Sequence, residues 1–211
     1  MARGRFITLE GPEGAGKSTH LKRLAEQLKA HGIPVVTTRE PGGTKLGEAV
    51  RGLLQFDTAG ESPVPTAELL LFLASRAQLV DHVILPALER GEWVLSDRFC
   101  DSTFAYQGYG RGMNVEELRA INHFATRGLM PDLTLFLDIP QTESRDRVAG
   151  RNEKADRFEQ ERDAFHLRLA EGFRALAEQE PHRIHRIDST PPQDVTAAAV
   201  WEAVRPLLPT L

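Results

Sequence analysis

The chain has 211 residues, enough for one sizeable core and a small insertion. It is 41% hydrophobic and 27% charged, with a formal net charge of -4 and no basic block, which argues against a nucleic-acid polymer as partner. Its one cysteine, Cys100, cannot form an intrachain disulfide, no signal peptide is evident in "MARGRFITLE", and no segment approaches the roughly 20 apolar residues of a membrane helix; a cytoplasmic protein is expected. Strand and helix patterns then alternate. A strand is read at 5–10, followed by a helix from Lys17 with Leu21, Leu24 and Leu28 at helical spacing and Gly32 as its stop. A strand at 34–38 precedes helices at 44–56 and 66–90, the second kinked or ended by Pro86. Next come a strand at 93–96, a helix at 115–126 capped by Asn114, and a strand at 133–138. Helices at 141–150 and 159–179, a strand at 183–188 and a helix at 193–208, capped by Asp194 or a neighbour, complete the series. The alternation predicts an α/β fold with a parallel sheet and helices on both faces. Loop-like segments at 39–47, 57–65, 107–114 and 150–158 interrupt one domain rather than divide two.

The stretch "GPEGAGKST" at 11–19 fits G-x-x-x-x-G-K-[ST] between a strand and a helix. Gly11, Gly14 and Gly16 let backbone N–H groups point inward, because no Cβ blocks them. Lys17 is placed for the β- and γ-phosphates, and Ser18 for Mg²⁺. The helix that opens here aims its positive end at the same anion. The string "FDTAGE" at 56–61 echoes a GTPase switch. It follows a helical pattern rather than a strand, and the chain has no N-K-x-D guanine motif, so it reads as a decoy.

Two further strands end in acid, at Asp97 and Asp138, where doubly wound sheets bind ligands. Asp97 can help hold Mg²⁺, and Arg98 beside it can grip a phosphate; a structural ion pair explains the same two residues. Asp138 reads first as a turn or cap acid. The charged segment 150–157, with Arg145 and Arg147 before it, reads as either a solvated charge run or a lid over a polyphosphate.

Taken in order, "EGPEGAGKST", "TREPGGT", "LLLFLASRAQ", "SDRF", "STFAYQGYGRG" and "GRNEKADRFE" resemble the thymidylate kinase family in its bacterial form, over residues 5 to about 190. The resemblance implies a P-loop NTPase fold with a five-stranded parallel sheet and a short lid at about 149–158. It also implies phosphoryl transfer from ATP to dTMP with Mg²⁺, and a homodimer. It assigns ATP binding to Gly11, Pro12, Glu13, Gly14, Ala15, Gly16, Lys17, Ser18, Thr19 and Arg147, and metal binding to Ser18 and Asp97. Lys17, Arg98 and Arg151 would be catalytic, Arg151 from the lid because this phosphate loop carries no arginine. For dTMP it implies Glu13, Arg39, Phe72, Arg76, Arg98, Thr103, Tyr106 and Gln107. Phe72 would stack on thymine, though amid four leucines it also reads as core; Arg76 would donate to O4, Thr103 and Gln107 would meet the N3 region, and Tyr106 would disfavour a 2′-hydroxyl. Glu40 would help position Mg²⁺ or water and Arg51 would reach the acceptor phosphate, though a turn and helix cap also explain "PGGT"; Asp156 and Glu159 match lid-flanking acids without an assigned role. Adenine is expected near 187–195 with Arg147. The family's D-R-[YH] reads Asp97-Arg98-Phe99, which excludes any role for a hydroxyl at 99.

Overall fold

The computed structural model describes residues 3–56, 58–150 and 157–209. Strands β1 (Phe6–Glu10), β2 (Val35–Arg39), β3 (Trp93–Asp97), β4 (Leu133–Asp138) and β5 (Ile184–Asp188) form one sheet in the order β2-β3-β1-β4-β5. Every neighbouring pair is parallel. Each strand lies within one residue, at either end, of where its apolar run predicts it.

The helices are α1 (Lys17–Ala30), α2 (Lys45–Gln55), α3 (Pro65–Leu79), α4 (Leu85–Glu89), α5 (Cys100–Thr103), α6 (Val115–Thr126), α7 (Gln141–Ala149), α8 (Asp163–Gln179) and α9 (Gln193–Val204). Strand side chains alternate between two cores, as the period of two requires. Phe6, Val94, Phe136 and Ile184 pack with Leu73, Phe104 and Phe173 on one side. Ile7, Leu9, Leu95, Leu135 and Leu137 pack with Leu24, Leu28 and Val200 on the other. Strands β1, β3 and β4 are therefore apolar on both faces, the pattern of a parallel sheet covered twice. Each fully buried Leu or Phe contributes about 1.5–3 kcal/mol. The fold is that of P-loop NTPases.

The register sets Leu9 beside Asp97 and Glu10 beside Phe136. The chain leaves β1 toward β2 and β3, then crosses to β4 and β5. The ends of β1 and β3 thus open at the point where strand order reverses, where such sheets bind ligands.

Several elements differ from expectation. The helix expected at 66–90 begins at Pro65, whose missing N–H costs nothing in a first turn. It widens into a π turn over Val80–Ile84, with Leu85 N–H bonded to Val80 O, before α4. Pro86 sits in the first turn of α4, so the helical path continues past it. The run Pro65–Glu89 is, against the sequence expectation, long and apolar enough to span a membrane. Its Leu69, Leu73, Leu79, Val80 and Ile84 are buried in the protein's own core, so it is a core helix. The loop expected at 107–114 is in part helical: α5 runs into a second π turn, Phe104–Gly110, that packs on α8. Gly110 permits that approach, since a Cβ there would lie 2.6 Å from the Phe165 ring. Asn114 caps α6, accepting from Glu116 N at 2.9 Å and Glu117 N at 3.3 Å. Asp194 does not cap α9; Pro192 holds that position, and Asp194 pairs with Arg23 at 2.7 Å. Helix α8 starts at Asp163 rather than 159, after a turn, and α9 ends at Val204 before a short 3-10 turn containing Pro206.

Candidate active site

The phosphate loop leaves β1 and enters α1. Gly11, Gly14 and Gly16 have φ of 136°, 74° and 87°. A Cβ on Gly11 would meet Leu137 O at 2.4 Å, so no other residue fits against β4 there. The carbonyls of Glu13, Gly14 and Ala15 are held by groups from later elements, of which sequence reading named Arg147 but not Ser144 or Ser189. Ser144 Oγ donates to Glu13 O at 2.7 Å and Ser189 Oγ to Ala15 O at 2.7 Å. Arg147 donates to Gly14 O at 3.4 Å and to Ser189 O at 2.9 Å. With these three carbonyls engaged, the peptide N–H groups of the loop are left for an anion. Arg147 thus joins the loop to the 187–195 segment on its outer side.

Lys17 is buried, and its ammonium donates to Gly11 O at 3.1 Å and Pro12 O at 2.8 Å. Burial, then the charge of Arg98, lowers its pKa, against Glu13, Asp97 and Glu10. A bound polyphosphate would supply the opposite charge that two neutral carbonyls cannot. Ser18 Oγ donates to Asp97 Oδ2 at 2.6 Å, across from α1 to the end of β3. A hydroxyl and a carboxylate oxygen side by side are hard donors of the type Mg²⁺ takes, with phosphate oxygens and water completing the shell. No cluster of three acidic, histidine or cysteine side chains that could hold a metal occurs among the described residues. The donor set therefore fits a cation brought in with phosphate rather than one caged by protein.

Arg98 follows Asp97 with φ of 72°, a conformation that costs a non-glycine residue about 1–2 kcal/mol. Its N–H bonds to Leu9 O at 3.0 Å, and its carbonyl accepts from Ser96 Oγ at 2.7 Å. The turn aims the guanidinium back across the loop. Nη1 donates to Gly11 O at 3.0 Å and Ser102 Oγ at 3.1 Å, Nη2 pairs with Glu13, and the group lies 5.1 Å from the centre of the Tyr106 ring. Burial works to lower its pKa, but Tyr106, Glu13, Asp97 and Glu10 outweigh burial and raise it. Behind it, fully buried Glu10 accepts from Phe99 N at 2.7 Å and Ser102 Oγ at 2.6 Å. Burial, then the nearby charge of Asp101, pushes the Glu10 carboxyl up to about 7.

At the far end, Phe72 of α3 is half-buried, with its ring 5.8 Å from Phe158, and Tyr106 meets Phe158 edge-on at 5.7 Å. Arg76, one turn beyond Phe72, is enclosed. Nε and Nη2 donate to Glu40 Oε2 at 2.8 and 2.6 Å, Nη2 also to Phe99 O at 3.0 Å, and Nη1 to Thr103 Oγ1 at 2.9 Å and to Asn122. All five donors are engaged by protein, so a bond from Arg76 to a base would have to displace one of these. Glu40 is buried with Oε1 unpaired, and burial raises its pKa against the pull of Arg76. Gln107 is buried and donates to Glu68 at 2.9 Å. Arg39 is exposed and pairs with Glu48 at 2.9 Å, and Arg51 donates to Pro41 O at 3.0 Å.

One cavity of about 440 Å³ joins these ends. It is lined by Glu13, Gly14, Gly16, Lys17, Ser18, Thr19, Arg39, Phe72, Arg76, Asp97, Arg98, Thr103, Tyr106 and Gln107, by Glu40, Arg51 and Glu159 of the matching motifs, and by Ser102 and Phe158, which the structure adds. Gly11, Pro12, Ala15 and Arg147 do not line it. Arg151, Asp156 and most of the expected lid lie outside the described residues. Asp138 is neither turn acid nor cap; buried at the end of β4, it pairs with Arg174 at 3.0 Å and Arg186 at 2.6 Å. The string at 56–61 comes after the end of α2 at Gln55, not after a strand.

The family model for thymidylate kinase matches residues 9–200. A thymidylate kinase of Alkalilimnicola ehrlichii is 52% identical over 97% of this chain and 94% of its own length. One from Deinococcus radiodurans is 51% identical over 97% of this chain and 98% of its own. The crystal structure of thymidylate kinase from Ehrlichia chaffeensis superposes with a TM-score of 0.76 at 33% identity, covering 96% of this chain and 99% of that one. With matches of this extent, placed over a phosphate loop and a cavity built for two ends of one reaction, the chain belongs to the thymidylate kinase family.

Proposed function

We infer that this chain transfers the terminal phosphoryl group of ATP to dTMP, giving dTDP on the route to dTTP. The observation that carries the reading is that one cavity spans both ends. Lys17 and Ser18 stand at one end, the Phe72–Tyr106 aromatic pair at the other, and Arg98 between them. An ATP-hydrolysing switch needs only the first end.

The acceptor is itself a phosphate with a second pKa near about 6, so at neutral pH it is largely dianionic and needs no general base. The obstacle is the approach of two anions. Lys17 leaves its loop carbonyls for the β- and γ-phosphates. Arg98, held by its strained backbone and by Ser102, offers its guanidinium to the acceptor phosphate where the transferring group passes. Ser18 and Asp97 would hold Mg²⁺, which when bound neutralises phosphate charge. Glu13 competes for Arg98 until phosphate arrives. Arg151 would add a further positive charge from a lid over 149–158 and help exclude water.

We further propose one domain over 1–211, a cytoplasmic setting and a homodimer. The buried lone Cys100 suits a reducing compartment. Leu70 on α3 and Ile121 and Phe124 on α6 stay exposed although these helices pack together, an apolar face suited to a second copy. The test of the activity is a coupled assay for ADP release. Release that depends on added dTMP, with dTDP as product, is the expected result. Slow release indifferent to dTMP would refute the kinase reading in favour of a switch.

A further inference from the structure

Gln107 lines the pyrimidine end of the cavity, yet an amide there can present either an acceptor or a donor, with opposite meanings for the base it meets. Glu68 on α3 settles which. Its carboxylate, 1% exposed, has only acceptors to offer. Oε1 accepts from Gln107 Nε2 at 2.9 Å and, at a longer 3.4 Å, from Arg111 Nε, while Oε2 accepts from Arg157 at 2.6 Å and Arg111 Nη2 at 3.1 Å. The amide nitrogen of Gln107 must therefore face Glu68. Its carbonyl Oε1 remains for the cavity, and no donor among the described residues bonds it.

We propose that Glu68 is a specificity-determining positioning residue. By locking the Gln107 amide, it presents a carbonyl to the base and selects a pyrimidine that carries N–H at ring position 3. Thymine and uracil carry that hydrogen; cytosine has a lone pair there and would face the carbonyl acceptor to acceptor. The inference rests on the thymidylate kinase reading and adds the group that sets the base's identity. The same carboxylate holds Arg157, within the span expected as the lid at about 149–158, so the base pocket and the end of that span share one anchor.

In Glu68→Gln the new amide oxygen stays with the two arginines, and its nitrogen faces position 107. Gln107 then turns its carbonyl to that nitrogen and its NH₂ to the cavity. The experiment measures kcat/KM of the full chain with dTMP, dUMP and dCMP. The dTMP-to-dCMP ratio should fall roughly 10- to 100-fold, the range of one mismatched buried hydrogen bond. The dTMP-to-dUMP ratio, which reads only the methyl group, should hold. The swap Glu68→Gln with Gln107→Glu returns an acceptor to the cavity and should restore the dTMP-to-dCMP preference; it also serves if the single variant does not fold. An unchanged dTMP-to-dCMP ratio in Glu68→Gln, an equal loss on all three substrates, or a swap that restores nothing overturns the proposal. A wild-type chain inactive on dTMP would instead overturn the kinase reading beneath it.

Discussion

The fold keeps a charge on Glu10 only at a cost in stability, and Glu10→Gln tests that. The side chain is fully buried at the end of β1, and its carboxyl is raised from 4.5 to about 7, first by burial and then by Asp101. Arg98 and the bonds from Ser102 and Phe99 work the other way without prevailing. A carboxyl with a raised folded pKa contributes stability below its unfolded pKa and loses it as pH rises through the folded one. The 2.5 units between 4.5 and about 7, at ~1.36 kcal/mol each, make a loss of about 3 kcal/mol across that window. Glutamine mimics the protonated acid: its oxygen can accept from the backbone N–H groups of Phe99 and Ser102, and its nitrogen can donate to Ser102 Oγ. Urea unfolding of both proteins from pH 4 to pH 8.5 is the assay. The variant should gain on the wild type by about 3 kcal/mol over the range, most steeply between pH 5 and 7. Parallel stability curves would show that Glu10 titrates alike folded and unfolded, and would refute the argument.

Lys17→Ala should reduce kcat by several orders of magnitude while circular dichroism and melting stay close to wild type, since its ammonium bonds only loop carbonyls here; an undiminished rate would remove Lys17 from the chemistry. Phe72→Ala should weaken dTMP binding by about 10-fold or more and leave ATP affinity nearly unchanged, because the ring lines only the far end of the cavity. Calorimetry with each nucleotide separates the two, and equal loss for both would return Phe72 to the core.

The parts of this protein that sequence made legible are those governed by short-range rules. Short apolar runs in "FITLE" and "LTLFLD", a period of 3.6 from Lys17 onward and a glycine-rich corner after the first run are local signals, and the strands fell where they point. The helix over Cys100–Gly110 was hidden because Gly108 and Gly110 read as a loop; only the approach of Phe165, some 55 residues away, makes a glycine useful there. Asp138 was misread for the same reason, as both arginines that pair with it come from later elements.

The site divides along the same line. The groups expected to touch phosphate sit within short motifs, so spacing reveals them. The groups that orient them do not: Ser144 and Ser189 hold the loop's carbonyls from 131 and 174 residues away. Glu68 reaches Gln107 across 39 residues and Arg157 across 89. Arg76 combines an orienting role with an expected binding role on a single side chain. Its spacing from Phe72 put it on the base-facing side of α3, but spacing carries no information about Glu40, Asn122 and the Phe99 carbonyl, which between them take four of its five bonds. A guanidinium so tied is a rigid wall before it is a donor. Any bond it makes to a base must therefore be matched by what Glu40, with one oxygen already unpaired, loses in the exchange.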